Sequence, residues 1–179
     1  MAQRPTPTEA RRLSGLPTVD VLSDPVRVTR VRHVAARAGD STVLKGLVKL
    51  AGRVAGSDCA QLSLLADRQV ATAVRCADAA YAEQVSDLAD SLCTITVLSG
   101  DVLVAADART HPWLLDLPPV TSGVVGCYLG VPLRLGDGTA IGALCVYGPD
   151  PRDWTDRHVG LTCDVADIMA AELDRLGGT

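Results

Sequence analysis

The chain has 179 residues with a net charge of −4, 47% hydrophobic and 21% charged residues. This length suits one domain with a single core, and the composition is too apolar for a disordered chain. Phe is absent, and only two Trp and three Tyr occur. This scarcity argues against a nucleic-acid surface built from stacked aromatic side chains, so no nucleic-acid partner is expected.

No run of the sequence approaches the roughly 18 consecutive apolar residues of a membrane span, and residues 1–7 lack the apolar stretch of a secretion signal. We therefore expect a cytoplasmic protein that does not bind membranes. The six cysteines are expected to be reduced thiols, because disulfides are rare in that compartment. Cys59, Cys76 and Cys163 have no C-x-x-C partner and no His at ligand spacing, so no metal site is expected.

The N-terminal part of the chain predicts an arm followed by two helices. Residues 1–23 contain three prolines and show no sustained period, which is typical of a mobile arm. Asp24 and Pro25 favour the start of a helix, because Asp can cap and Pro fits the first helical position. Apolar residues recur at helical spacing on to residue 55, so the sequence predicts flanking helices over 24–55.

The rest of the chain predicts an antiparallel sheet and a last helix. Asp-Gly between two alternating apolar runs makes 128–134 and 140–147 the clearest hairpin. One long apolar stripe over 156–176 predicts the last helix, and the element order favours an α+β fold in one domain over 24–176. The other predicted elements are a hairpin (59–66 and 69–75), a short helix or irregular crossing (77–90), a helical piece (91–99), a buried strand (102–105) and a long surface loop (107–126).

Four blocks of the chain carry a family resemblance. They read S-L-C-T-I-T-V-L-S-G at 91–100, V-A-A-D-A-R at 104–109, Y-L-G-V-P-L at 128–133 and I-G-A-L-C-V at 141–146. In this order they resemble the signature blocks of bacterial GAF domains, with the similarity covering roughly 30–176. The resemblance implies a six-stranded antiparallel sheet with helices on both faces and a ligand pocket between the sheet and segments 77–126.

The same resemblance implies a sensory or regulatory module that is not an enzyme. Its expected partners are a small molecule, a signalling protein supplied in trans, and a second copy that pairs through the first and last helices. The chain lacks the Asn and Phe of the N-K-x-F motif found in cyclic-nucleotide-binding GAF domains, and no Cys neighbours a His as in bilin attachment. No cofactor is therefore expected, and the fold alone does not name the ligand.

The pocket implied by the resemblance has six candidate lining residues. Cys93 and Cys145 lie in two signature blocks, Cys127 lies at the junction of loop and strand, and Trp113 is a possible lid. Arg109 either pairs with Asp107 or Asp116, or faces the pocket and binds an anionic group, since its planar fork suits carboxylates. The predicted ligand-binding set is Cys93, Arg109, Trp113, Cys127, Tyr128 and Cys145.

Two alternatives remain open. One branch of the GAF family comprises free methionine sulfoxide reductases, which work by thiol–disulfide exchange, and Cys93 and Cys127 could meet over the pocket with Arg109 nearby. Such a site needs an attacking thiolate and a resolving thiol within reach. The other alternative is a dimerisation scaffold whose pocket is filled by its own side chains.

Overall fold

The computed structural model describes residues 16–76 and 85–178. A 3-10 turn (Val19–Ser23) precedes the first helix, and a second one (Leu88–Asp90) follows the third strand. The helices are α1 (Pro25–Ala38), α2 (Thr42–Ala55), α3 (Leu92–Ser99), α4 (Pro118–Thr121) and α5 (Asp156–Gly177). The strands are β1 (Cys59–Leu65), β2 (Gln69–Cys76), β3 (Val85–Ser86), β4 (Leu103–Ala105), β5 (Cys127–Arg134) and β6 (Ala140–Gly148).

The long helices begin where the sequence places their caps. The Asp24 carboxylate accepts the backbone N–H of Arg27 at 2.8 Å, and Thr155 Oγ1 accepts that of His158 at 3.3 Å. Each side-chain oxygen satisfies a donor that has no partner within its helix. The caps predicted at both flanking helices are confirmed.

The predicted six-stranded antiparallel sheet is confirmed. Its strand order is β3-β2-β1-β6-β5-β4, and every neighbouring pair is antiparallel. The edge strand β3 has only two residues, so five strands carry almost all of the pairing. The last hairpin, β5–β6, lies in the middle of the sheet beside β1.

Helices cover both faces of the sheet, as predicted. Helices α1, α2 and α5 pack on one face over a continuous apolar core that includes Leu62 and Leu144. We call this the three-helix face. Helix α3 and the segment 107–126 cover the opposite face, which we call the α3 face.

Three segments differ from the sequence expectations. Of the expected mobile arm over 1–23, residues 1–15 lie outside the described residues; the last part of that segment forms the turn Val19–Ser23, which buries Leu22 against the α3 face. The expected crossing at 77–90 lies partly outside the described residues, and its last part forms β3 and a 3-10 turn. The segment 107–126 is not a mere surface loop, because Leu114 and Leu117 are fully buried.

Among the helices of the described residues, none combines the length and the apolar character that a membrane crossing requires.

Candidate functional site

The strand register builds a site on the α3 face. Residues directly opposite on neighbouring antiparallel strands point to the same face, and successive residues alternate. One row across the sheet therefore joins Cys76, Cys59, Tyr147 and Tyr128, and the next joins Gln61, Cys145 and Gly130. Polar and sulfur-containing side chains thus converge on one patch beneath α3.

A small cavity of about 50 Å³ lies over this patch. One water needs about 10–15 Å³ of such a cavity, so it has room for about three to five waters. Its walls come from strands β1, β2, β3, β5 and β6, the 3-10 turn Leu88–Asp90, the start of α3 and the segment that contains α4. The lining residues include Gln61, Gln69, Asp90, Ser91, Cys93, Pro119, Val124, Val125, Tyr128, Cys145 and Tyr147.

Hydrogen bonds connect most of the polar groups in the cavity wall. The Tyr147 hydroxyl donates to Gln61 Oε1 at 3.3 Å, and Gln61 Nε2 donates to Ser63 Oγ at 2.7 Å. Ser91 caps α3 by accepting the Thr94 N–H and also donates to Gln69 Oε1. Buried polar groups with partners hold a defined geometry, whereas a polar group without one would cost free energy. This part of the wall is therefore preorganised.

Two thiols and a phenol form the deepest part of the wall. The Cys93 and Cys145 sulfurs are 3.6 Å apart, and the Tyr128 hydroxyl lies 3.7 Å from Cys93 Sγ and 2.8 Å from Thr96 Oγ1. Hydrogen bonding from Cys145, aided by Ser63 and Tyr128, lowers the pKa of Cys93 against the opposing effect of burial. The same pairing and burial raise the pKa of Cys145, and burial raises the pKa of Tyr128. The two thiols are thus electrostatically linked, and the charge state of one depends on that of the other.

The structure corrects the expectation that all cysteines are reduced. Cys59 and Cys76 are opposite each other in the β1–β2 ladder with a Cα–Cα distance of 4.1 Å, and their sulfurs are bonded as a disulfide. The Tyr147 hydroxyl lies 3.6 Å from Cys76 Sγ. The disulfide therefore adjoins the wall of the cavity. Spacing along the chain could not show this pairing, which depends on the register of the hairpin.

Three of the six predicted site residues line the cavity together: Cys93, Tyr128 and Cys145. The other three are not among the lining residues. Cys127 is buried on the opposite side of β5 from Tyr128, because neighbouring residues of a strand alternate. Its thiol faces the Gly148 carbonyl at 3.8 Å, and burial raises its pKa.

Arg109 and Trp113 both lie on the 107–126 segment outside the cavity. Arg109 is exposed and forms a two-pronged ion pair with Asp107, with Nε–Oδ1 and Nη2–Oδ2 distances of 2.8 and 2.9 Å. Of the two roles left open for Arg109, the structure shows the pairing with Asp107. Trp113 is half-buried, with its ring 5.7 Å from that of His111. The expected contact between Cys93 and Cys127 beside Arg109 is therefore wrong, and Cys145 takes the place of Cys127.

The sequence reasoning missed the other lining residues, and the polar ones among them are Gln61, Gln69, Ser86, Asp90, Ser91 and Tyr147. A signal for Gln61 was present, since a Gln and a Ser alternate with apolar residues within the buried strand β1. A polar residue at such an inward position requires a partner. Gln69 and Ser91 come from distant parts of the chain, and only the fold brings them together.

The family of the chain follows from comparison with known proteins. Residues 41–173 match the GAF domain family, and the chain belongs to it. A stretch of 92 residues is 32% identical to the cyclic di-GMP phosphodiesterase PA2567 of Pseudomonas aeruginosa. The match covers 50% of this chain but only 16% of that protein.

Solved structures share the fold at low sequence identity. A type II free methionine-R-sulfoxide reductase from Thermoplasma acidophilum superposes with a TM-score of 0.63 at 18% identity, over 80% of this chain and 96% of that one. The GAF domain of an Acinetobacter phosphoenolpyruvate-protein phosphotransferase gives 0.60 at 16% identity, over 87% and 94%. A GAF domain of a multidomain protein and a reductase thus share this architecture, and the fold alone does not distinguish their functions.

Proposed function

We propose that this GAF domain is a non-catalytic sensory module whose cavity on the α3 face binds a small polar molecule. The observation that carries the proposal is the concentration of hydrogen-bonded polar groups around a small cavity in an otherwise apolar core. Binding sites combine apolar walls with a few placed polar groups in this way. The ligand-binding roles of Cys93, Tyr128 and Cys145 belong to this proposal.

The cavity limits the chemistry of the proposed ligand. Asp90 is the charged residue in its described lining, so a neutral or cationic molecule suits it better than the anion expected from Arg109. A molecule larger than a few heavy atoms requires the wall at Pro119, Val124 and Val125 to move outward. That wall consists of α4 and the residues that follow it, and it has no strand partner among the described elements. We take it to be the wall that moves when a larger molecule binds.

A thermal-shift screen with a blocked variant tests the proposal. The panel contains small polar solutes, including free amino acids and free methionine sulfoxide. Binding only to the folded state at a concentration of one hundred times Kd adds about 2.7 kcal/mol, or roughly 5–10 °C in midpoint for a domain of this size. Cys145→Leu fills the cavity and should abolish the shift.

Cys163→Leu is the matched control, because Cys163 is half-buried on α5 and belongs to the three-helix face. It should retain the shift. If a solute stabilises both variants as strongly as the wild type, the cavity is not the binding site. If no solute shifts the wild type, the scaffold alternative replaces the sensor.

A second candidate function is thiol chemistry, favoured by the 3.6 Å separation of the Cys93 and Cys145 sulfurs. The reaction would be reduction of free methionine sulfoxide: the two thiols give up two hydrogens and become a disulfide, and the sulfoxide oxygen leaves as water. A dithiol reductant such as dithiothreitol would regenerate the thiols. We expect no turnover; methionine formation that is lost in Cys93→Ser would instead establish the enzyme.

We also propose a homodimer formed through α1 and α5. Val26 on α1 is 78% exposed and Ile168 on α5 is 54% exposed, and both helices lie on the three-helix face. Burial of apolar surface drives association. Light scattering should give twice the chain mass of 18.7 kDa. Ile168→Glu should give the monomer mass, whereas the control Leu115→Glu, in the 107–126 segment, should stay dimeric; a monomeric wild type would contradict the proposal.

A further inference from the structure

A second concave site lies at the other end of the α3 face, separate from the cavity. It is a groove of about 330 Å³ between the turn Val19–Ser23, the end of α3 and the β5–β6 hairpin. None of the residues that line the cavity lines this groove. Its volume is within the range of small-molecule sites.

The wall of the groove includes Arg27, whose guanidinium is held in place by backbone carbonyls. Arg27 Nε donates to the Ala140 carbonyl at 2.9 Å, and Nη1 donates to the Leu22 carbonyl at 2.8 Å. Leu22 and Ala140 line the groove as well, so the guanidinium is held in its wall. Arg27 Nη2 is buried and has no hydrogen-bond partner among the described residues.

Arg27 as a whole is half-buried. An unpaired donor on such a cation costs free energy, and a carboxylate oxygen is the partner that relieves that cost best. Burial lowers the pKa of Arg27, although the Asp24 carboxylate opposes the effect. The Asp24 oxygen is engaged at the helix cap by the Arg27 N–H. The positive charge of Arg27 is therefore only partly balanced by the groups around it.

A second arginine faces the same groove. Arg134 is exposed at the end of β5, and its Nη1 donates to the Gly138 carbonyl at 3.3 Å. This weak contact leaves most of its five N–H donors available. Among the described residues, no acidic side chain lines the groove. The rest of the described wall is largely apolar and includes Val21, Val97 and Leu98.

We propose that this groove binds a small apolar carboxylic acid, with the carboxylate between Arg27 and Arg134 and the hydrocarbon part against Val97 and Leu98. Two guanidinium groups without an acidic neighbour in the lining select a single negative charge, and planar forks suit carboxylates. The apolar walls contribute through burial of the hydrocarbon chain. The site is independent of the cavity and of the sensory proposal.

Methyl-detected NMR with hexanoate as the probe tests this site. Hexanoate should shift the methyl signals of Leu22, Val97 and Leu98 saturably, whereas the neutral hexanamide should bind about ten-fold more weakly because it lacks the charge-assisted hydrogen bonds. Arg134→Gln keeps a donor for Gly138 and should weaken hexanoate binding by about three- to five-fold. Arg157→Gln, an exposed arginine of α5, should leave the affinity unchanged.

Arg27→Lys provides the second variant, because it retains the charge but loses the planar fork. It should weaken hexanoate binding by about ten-fold, with its thermal midpoint recorded to confirm folding. Equal affinities for hexanoate and hexanamide would overturn the proposal. Equal affinities of Arg134→Gln and Arg157→Gln, or methyl shifts at cavity residues in place of the groove, would overturn it as well.

Discussion

The two faces of the sheet are built from different kinds of residues. On the three-helix face, β1 contributes Ala60, Leu62 and Leu64 to a core of aliphatic side chains. On the α3 face, the alternate residues of the same strand include Gln61 and Ser63, which are buried in hydrogen bonds. A single strand thus supplies an apolar core on one side and polar groups on the other, because its side chains alternate.

This difference separates the residues that stabilise the fold from the residues that form the candidate site. The apolar core contributes burial free energy that does not depend on the direction of contact. The α3 face instead holds a cavity, two thiols and a disulfide in fixed geometry. We therefore expect large-to-small substitutions on the three-helix face to act on stability alone, and redox or pH changes to act on the α3 face.

The largest effect should come from Leu62→Ala. Leu62 has no exposed surface, and its truncation removes buried apolar area and leaves a void. Unfolding in urea should show a loss of about 2–5 kcal/mol. The control Leu115→Ala, at a side chain that is 37% exposed, should change stability by no more than about 0.5 kcal/mol. Similar losses in both variants would contradict the description of the three-helix face.

Reduction of the Cys59–Cys76 disulfide should have the next largest effect. The bond closes a loop with a sequence separation of 17, and constraint of the unfolded chain by such a loop contributes about 3 kcal/mol. Dithiothreitol should lower the unfolding free energy of the wild type by up to this amount and leave Cys76→Ser unaffected. An intact-mass gain of about 2 Da confirms that one disulfide was reduced. A wild type without that gain would show that the two thiols are free.

Two threonines of α3 should have smaller effects on the free energy of unfolding, and the two effects should differ. Thr96 Oγ1 bonds the Tyr128 hydroxyl and the Leu92 carbonyl, so Thr96→Val should cost about 1 kcal/mol. The Thr94 hydroxyl is buried without a partner among the described residues. Thr94→Val should therefore be neutral or stabilising, because it removes an unsatisfied polar group. Chemical denaturation compares the two variants, and an equal loss would argue against the Thr96–Tyr128 contact.

The smallest effect concerns pH. Half-burial lowers the pKa of His111, whose Nδ1 accepts the Trp113 N–H at 3.3 Å. In the unfolded chain His111 has its ordinary pKa of about 6.5 and takes up a proton at a higher pH than in the folded protein. The unfolding free energy therefore falls as the pH drops through about 6.5, and it levels off below the pKa of the folded state. His111→Gln should remove about a few tenths of a kcal/mol from this dependence. Denaturation followed at pH 7.5 and about 5.5 compares the variants; unchanged dependence would contradict the burial of His111.

The sequence predicted most of the fold, because its signals are local. Caps such as Asp24, the Asp-Gly turn of the β5–β6 hairpin and helical spacing of apolar residues depend only on near neighbours. The structure of 107–126 was not predictable in the same way. Its polar, proline-containing sequence is typical of a surface loop. Leu114 and Leu117 are nevertheless buried, because they pack against residues that only the assembled sheet brings close.

The site was predicted only in part for the same reason. The signature blocks that contain Cys93, Tyr128 and Cys145 can be recognised from short stretches of sequence, and the fold brings these three residues together around one cavity. The resemblance implies Arg109 as a pocket residue, but the carboxylate of Asp107, two residues away, forms an ion pair with it instead. Cys127 required knowledge of which face of β5 it occupies. Strand register, which sets both this orientation and the Cys59–Cys76 pair, cannot be read from spacing alone.

Amide NMR of ¹⁵N-labelled protein tests the central proposal, that the α3 face holds the ligand site, most directly. The titrant is the panel compound with the largest thermal shift. We expect saturable changes concentrated at Gln61, Ser91, Tyr128 and Tyr147, with the signals of α2 and α5 unmoved. Changes confined to α1, α2 and α5, or none at saturating concentrations of the compound, would contradict the assignment of the cavity as the ligand site.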